Sequence, residues 1–166
     1  MPNKSSLAHL GNLYASAVSF LNLGQPLLLL AVRLYWGWQL MQSGWGKLHH
    51  IAQVTDFFTS LGLPQPHLTA ILVSLLELVG GALFTLGLGS RIISLMLFIN
   101  MCVAYWTADR EALGAIFSDP GKFYNADPYT FWFSSLMVLV FGPGVWAIDT
   151  LIRRFSRRET LDSTIY

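Results

Sequence analysis

Glu77 stands near the middle of residues 67–88, a run that is otherwise apolar and long enough to cross a bilayer. A carboxylate at that depth costs about 2.5 kcal/mol or more, so it needs a partner or a purpose. Arg33, embedded in a second apolar run at residues 26–38, is the best partner by this reading. The sequence therefore predicts an Arg33–Glu77 pair at the centre of whatever chemistry the chain performs.

Of the 166 residues, 54% are hydrophobic and only 11% charged. A soluble domain of this size would struggle to cover so much apolar surface, and the composition predicts a membrane protein. A span needs roughly 20 residues to cross about 30 Å of hydrocarbon. Four such stretches are found, at about 26–45, 68–88, 91–108 and 129–152. The predicted fold class is all-α, an integral membrane four-helix bundle. Three regions follow: an amphipathic cytoplasmic segment at 1–25, a four-span domain at 26–152, and a basic cytoplasmic tail at 153–166. The connections are too short for a separate soluble domain.

Leu7, Leu10, Tyr14, Ala17 and Leu21 recur at helical spacing, which predicts a helix lying on the membrane surface. The segment lacks the compact apolar core and cleavage site of a removable signal peptide and is expected to be retained. Arg153, Arg154, Arg157 and Arg158 place the C-terminus in the cytoplasm by the positive-inside rule. With four spans both termini then lie there, and the expected location is a bacterial inner membrane. The 109–128 loop, the longest hydrophilic stretch, falls outside.

Pro26 suits a first helical turn, and Arg33, Gly37, Gly44 and Lys47 after it share one helix face. Glycines on such a face let a neighbouring helix approach closely. Between the first two spans, Ile51, Val54, Phe58 and Leu61 make one apolar stripe, the mark of a short interfacial helix. Gly62, Pro64 and Pro66 then turn the chain back. In the second span Glu77, Gly80, Phe84, Gly87 and Arg91 fall on one inward face. Asn100 and Cys102 in the third are short polar groups able to hydrogen-bond across a bundle. Pro143 is expected to kink or end the fourth helix near the cytoplasmic side.

Counted from Pro26, Arg33 lies about 10 Å deep, and Glu77 about 16 Å deep counted from Leu88. Arg91 and Asp149 lie shallower on the same side, so these four predict one charge-balanced network. Such a network serves either as a polar ligand site or as a lock holding the helices in register. Adjacent His49 and His50 point about 100° apart and make a poor metal pair, while His9 and His67 are isolated surface residues. No metal site is predicted. The single cysteine, Cys102, excludes an intramolecular disulfide or dithiol redox pair. No phosphate loop, nucleophile elbow, zinc signature or dinucleotide fingerprint is present. The 153–158 basic cluster suits anionic lipid as well as topology.

Arg33 with Gly37, Gly44 and Lys47, then Gly62 and Pro64, then Glu77, Gly80, Gly81, Gly87 and Arg91, and last Gly142, Pro143, Gly144 and Asp149, resemble the pattern of the DoxX family of bacterial four-helix membrane proteins. The resemblance spans about residues 26–152. It implies likeness to the small membrane subunit of thiosulfate:quinone oxidoreductase and to membrane-associated thiol and oxidative-stress systems. The family's polar positions fall on Arg33, Lys47, Glu77, Arg91 and Asp149. The loop at 109–128 is outside the recognised pattern.

The expected function is an inner-membrane accessory subunit of a quinone-linked or thiol-linked redox system, with no metal or flavin of its own and a quinone as candidate ligand. The expected partners are the lipid bilayer, membrane redox subunits and a second copy of the chain, with no nucleic acid. The alternative is an assembly or chaperone-like protein that binds other membrane segments without chemistry of its own. A solute or proton carrier is a third reading, for which four short-looped spans leave little room.

Overall fold

The computed structural model describes residues 4–162, with side chains described over residues 11–156. Among the described residues eight helices follow one another: α1 Lys4–His49, α2 Ile51–Ser60, α3 Pro66–Leu86, α4 Ser90–Thr107, α5 Arg110–Gly114, α6 Pro120–Tyr124, α7 Pro128–Phe141 and α8 Ile148–Asp162. Among the described residues there is no strand. Helices α1, α3 and α4 are long and apolar enough to cross a membrane, and α7 is a shorter apolar helix of 14 residues. α1 packs on α3, α3 on α4, α4 on α7 and α7 back on α1, which closes a four-helix bundle. Large apolar side chains such as Leu34, Leu72, Ile99 and Val140 point outward, as a lipid-facing surface requires.

The α1–α3 seam explains the glycines. A Cβ on Gly44 would press into the Leu78 and Ser74 backbone, one on Gly81 would lie 2.9 Å from the Gly37 carbonyl oxygen and the Met41 amide, and one on Gly37 would strike Thr85. The two main chains touch here, which is how helices gain packing where no hydrophobic drive separates them from lipid. Neighbouring Gly80 faces the other way, towards Leu97 and Ile93 of α4. The paired glycines of α3 thus serve two partners.

Helix α2 has the predicted stripe, with Ile51, Val54, Phe58 and Leu61 half-buried and Gln53, Asp56 and Thr59 exposed. Gly62 and Gln65, both at positive φ, make the turn into α3, and Pro66 occupies its first turn.

Two boundaries differ from the sequence reading. Pro26 does not begin a helix but lies inside α1, which runs 46 residues, about 69 Å at 1.5 Å per residue. The proline cannot donate to the Asn22 carbonyl, yet losing one bond does not end the helix. The expected surface positions Tyr14, Ala17 and Leu21 are therefore exposed on a continuation of the first span, and the side chains of Leu7 and Leu10 lie outside the described residues. The fourth helix ends at Phe141 rather than near residue 152. Gly142 and Gly144 adopt φ of +80° and +81° around Pro143, a conformation no helix can pass through. The break expected at Pro143 is thus complete, and residues 142–147 turn the chain onto the end of the bundle.

Candidate functional site

The buried positions of α1, namely Leu29, Arg33, Gly37, Leu40 and Gly44, step by four, four, three and four residues and so form one face. Lys47 continues that face by a further three residues. Antiparallel packing sets it beside Glu77 in the middle of α3. Lys47 Nζ donates to Glu77 Oε1 at 2.5 Å and to Oε2 at 2.6 Å, Ser43 Oγ donates to Oε2 at 2.8 Å, and Asn100 Nδ2 of α4 reaches Oε1 at 3.4 Å. The Glu77 side chain is 3% exposed and that of Lys47 31%. The carboxylate is thus locked inside, while the ammonium keeps one side open.

That open side faces a cavity of about 420 Å³. Glu77, Lys47 and Asn100 form its polar floor, Val73 of α3, Met101 of α4 and Phe131 of α7 contribute apolar wall, and Phe57 and Phe58 of α2 roof it. Asp109 and Asp127 stand at its loop-facing rim. Burial, then the charge of Asp127, raises the Asp109 carboxyl above its ordinary range. A charged pair with one buried member under apolar walls, with polar groups converging at one end, is the form of a site for a small amphipathic molecule.

The pairing of Glu77 with Arg33 is not what forms. Arg33 lies at the other end of the seam, level with Gly87, about 15 Å along α3 from Glu77. The depth count failed because it began at Pro26, and α1 enters the bundle without starting there. Arg33 is fully buried, its Nη2 donating to the Trp146 carbonyl at 2.7 Å, while Nε and Nη1 have no protein partner. Gly87, at φ +72°, leaves the space that Nη1 fills. Asp149 is the carboxylate whose charge acts on Arg33, although the two form no ion pair within 4 Å.

Asp149 instead caps α4. Its Oδ1 accepts from the Gly89 amide and its Oδ2 from the Ser90 amide, each at 2.8 Å, while its own amide donates to the Gly87 carbonyl at 3.0 Å. It thereby ties the 142–147 segment to the α3–α4 turn. Asp149→Ala is expected to lower stability by about 1 kcal/mol, read as a fall in the thermal midpoint in detergent. Arg91 is exposed and its guanidinium lies near Gly142. The single network of the sequence reading is therefore two sites at opposite ends of the bundle: Lys47–Glu77, and Arg33 with Asp149 and Arg91.

Ser43 was missed at the first site, although it precedes Lys47 by four residues on the same stripe. Asn100 was legible as a cross-bundle donor, but nothing in its run pointed to Glu77. His49 and His50 each bond a backbone carbonyl one turn back, at 2.9 and 3.0 Å. No cluster of three metal-ligating side chains exists among the described residues.

A model of the DoxX family matches residues 28–110, which contain Arg33, Lys47, Glu77 and Arg91. An uncharacterized membrane protein of Mycobacterium tuberculosis is 30% identical over 149 residues, 81% of this chain and 85% of that one. No solved structure matches.

Proposed function

This chain belongs to the DoxX family of membrane proteins, and from that premise we propose that it is an accessory subunit of a quinone-linked redox system, with the Glu77 cavity receiving the quinone head. The observation carrying this reading is the pair of half-buried Lys47 and buried Glu77 at the floor of an apolar cavity of about 420 Å³. A quinone is a flat apolar ring with two carbonyl acceptors, which become hydroxyl donors when two electrons and two protons are added. Lys47 Nζ, which keeps one side open to the cavity, suits the carbonyl, and Glu77 holds that ammonium at the cavity floor. Asp109 and Asp127 at the rim disfavour anionic ligands and favour neutral ones. Electrons come from a partner subunit. A thiol-linked version likewise needs the partner's cysteines, because Cys102 is the single cysteine and stands exposed on α4.

Protein purified in its native lipid is expected to carry quinone in its organic extract, with the content falling about tenfold or more in Glu77→Gln. Absence of quinone, together with absence of any co-purifying redox subunit, overturns the proposal.

The proposed orientation places the inner membrane around the bundle, both termini in the cytoplasm and the cavity mouth outside. In a Cys102→Ser background, a cysteine placed in the 109–128 loop is expected to react with an impermeant thiol reagent added to whole cells. One placed after Arg158 should stay unlabelled until the cells are lysed. The reverse pattern would invert the topology.

A further inference from the structure

At the end of the bundle opposite the Glu77 cavity, α1, the 142–147 turn and the start of α8 enclose an open groove of about 520 Å³. Leu29, Phe141 and Val145 make its apolar wall, and Arg153 and Arg154 stand on α8 at its edge. Both arginines are exposed, and neither is in an ion pair among the described residues. Asp149, one turn before Arg153, is committed to the amides of Gly89 and Ser90. Arg153 Nε reaches the Asp149 main-chain carbonyl at 3.5 Å, and among the described residues no carboxylate lies within ion-pair distance of either guanidinium. Gly144 packs 3.4 Å from Leu29 when given a Cβ, so the groove is built by the same turn that ends the fourth helix. On its α1 side Asn22 lines the groove, and its backbone carbonyl lacks a helical donor because Pro26 has no N–H.

We propose that this groove is a binding site for one anionic phospholipid. The phosphodiester lies between Arg153 and Arg154, one acyl chain runs along Leu29, Phe141 and Val145, and a head-group hydroxyl meets the Asn22 carbonyl. Each feature matches one part of such a lipid: two fork-shaped donors for the phosphate, an apolar wall for the chain and an acceptor for the hydroxyl. Phosphatidylcholine lacks the net charge and the hydroxyl, and inorganic phosphate lacks the chain.

The full-length protein, purified in detergent, would be mixed with phosphatidylglycerol or phosphatidylcholine and the retained lipid counted by native mass spectrometry. Retention of one phosphatidylglycerol is expected, with little phosphatidylcholine. Arg153→Gln with Arg154→Gln should weaken that retention by about thirtyfold. Arg157→Gln with Arg158→Gln, which removes the same charge four residues further along the chain, should leave most of it. Val145→Ser, at an exposed position of the groove wall, should weaken it with every arginine intact. An unchanged thermal midpoint in each variant would tie the loss to binding rather than folding. Equal loss in both arginine pairs would reduce the effect to diffuse charge and overturn the site. Equal retention of phosphatidylcholine, or displacement of the lipid by inorganic phosphate, would also overturn it.

Discussion

Replacing Gly44 by alanine is expected to lower the thermal midpoint in detergent by on the order of 10 °C, an overpacking cost of about 3 kcal/mol. The added methyl would meet the Leu78 amide nitrogen and lie 2.5 Å from the Ser74 carbonyl oxygen. Both are main-chain atoms, so no rotamer change relieves the clash and α1 must move off α3. The displacement would also loosen the Gly81 contact with Gly37 and Met41, and draw Lys47 away from Glu77. Gly46→Ala is the control. A Cβ there meets nothing within 4 Å, and alanine is the better helix former, so stability should hold or rise slightly. If Gly44→Ala melts like the parent protein, the two helices are not in backbone contact.

Lys47→Met is expected to cost about 3–5 kcal/mol, more than Glu77→Gln, although each removes one member of the same pair. The asymmetry follows from burial. Without Lys47, a carboxylate 3% exposed keeps only Ser43 and Asn100 and loses its countercharge. Without the Glu77 charge, a lysine 31% exposed extends its four-carbon stem towards the cavity mouth, and the new glutamine still bonds Ser43. Lys47→Met combined with Glu77→Gln should melt higher than Lys47→Met alone. Equal midpoints for the two single variants would mean that the ammonium is as trapped as the carboxylate.

The spans, the α2 stripe and the glycine seam were legible because each follows from local spacing. Ile51, Val54, Phe58 and Leu61 share a face at any orientation of the helix, and Gly37 and Gly44 leave the same bare strip wherever the membrane lies. Registry between helices was less legible. Arg33 and Lys47 sit on the same face of α1, so the stripe alone does not decide which of them meets Glu77. That choice depended on where α1 enters the bundle, and Pro26, a good first-turn residue, pointed to the wrong place. Arg33 finds its partner in the Trp146 carbonyl, a main-chain group that residue types do not reveal. The cavity was not legible either, because its walls come from α2, α3, α4 and α7 together and from Asp109 and Asp127 at the two ends of the 109–128 loop.

The measurement that tests the central claim most directly is photolabelling with an azidoquinone in nanodiscs, followed by peptide mapping of the adduct. The expected result is an adduct on the cavity lining, at Phe58, Val73 or Met101, suppressed by excess unlabelled quinone and lost in Lys47→Gln with Glu77→Gln. Labelling spread over outward positions such as Leu72, Ile99 and Val140, indifferent to competitor and to that double variant, would contradict the assignment of the Glu77 cavity as a quinone site.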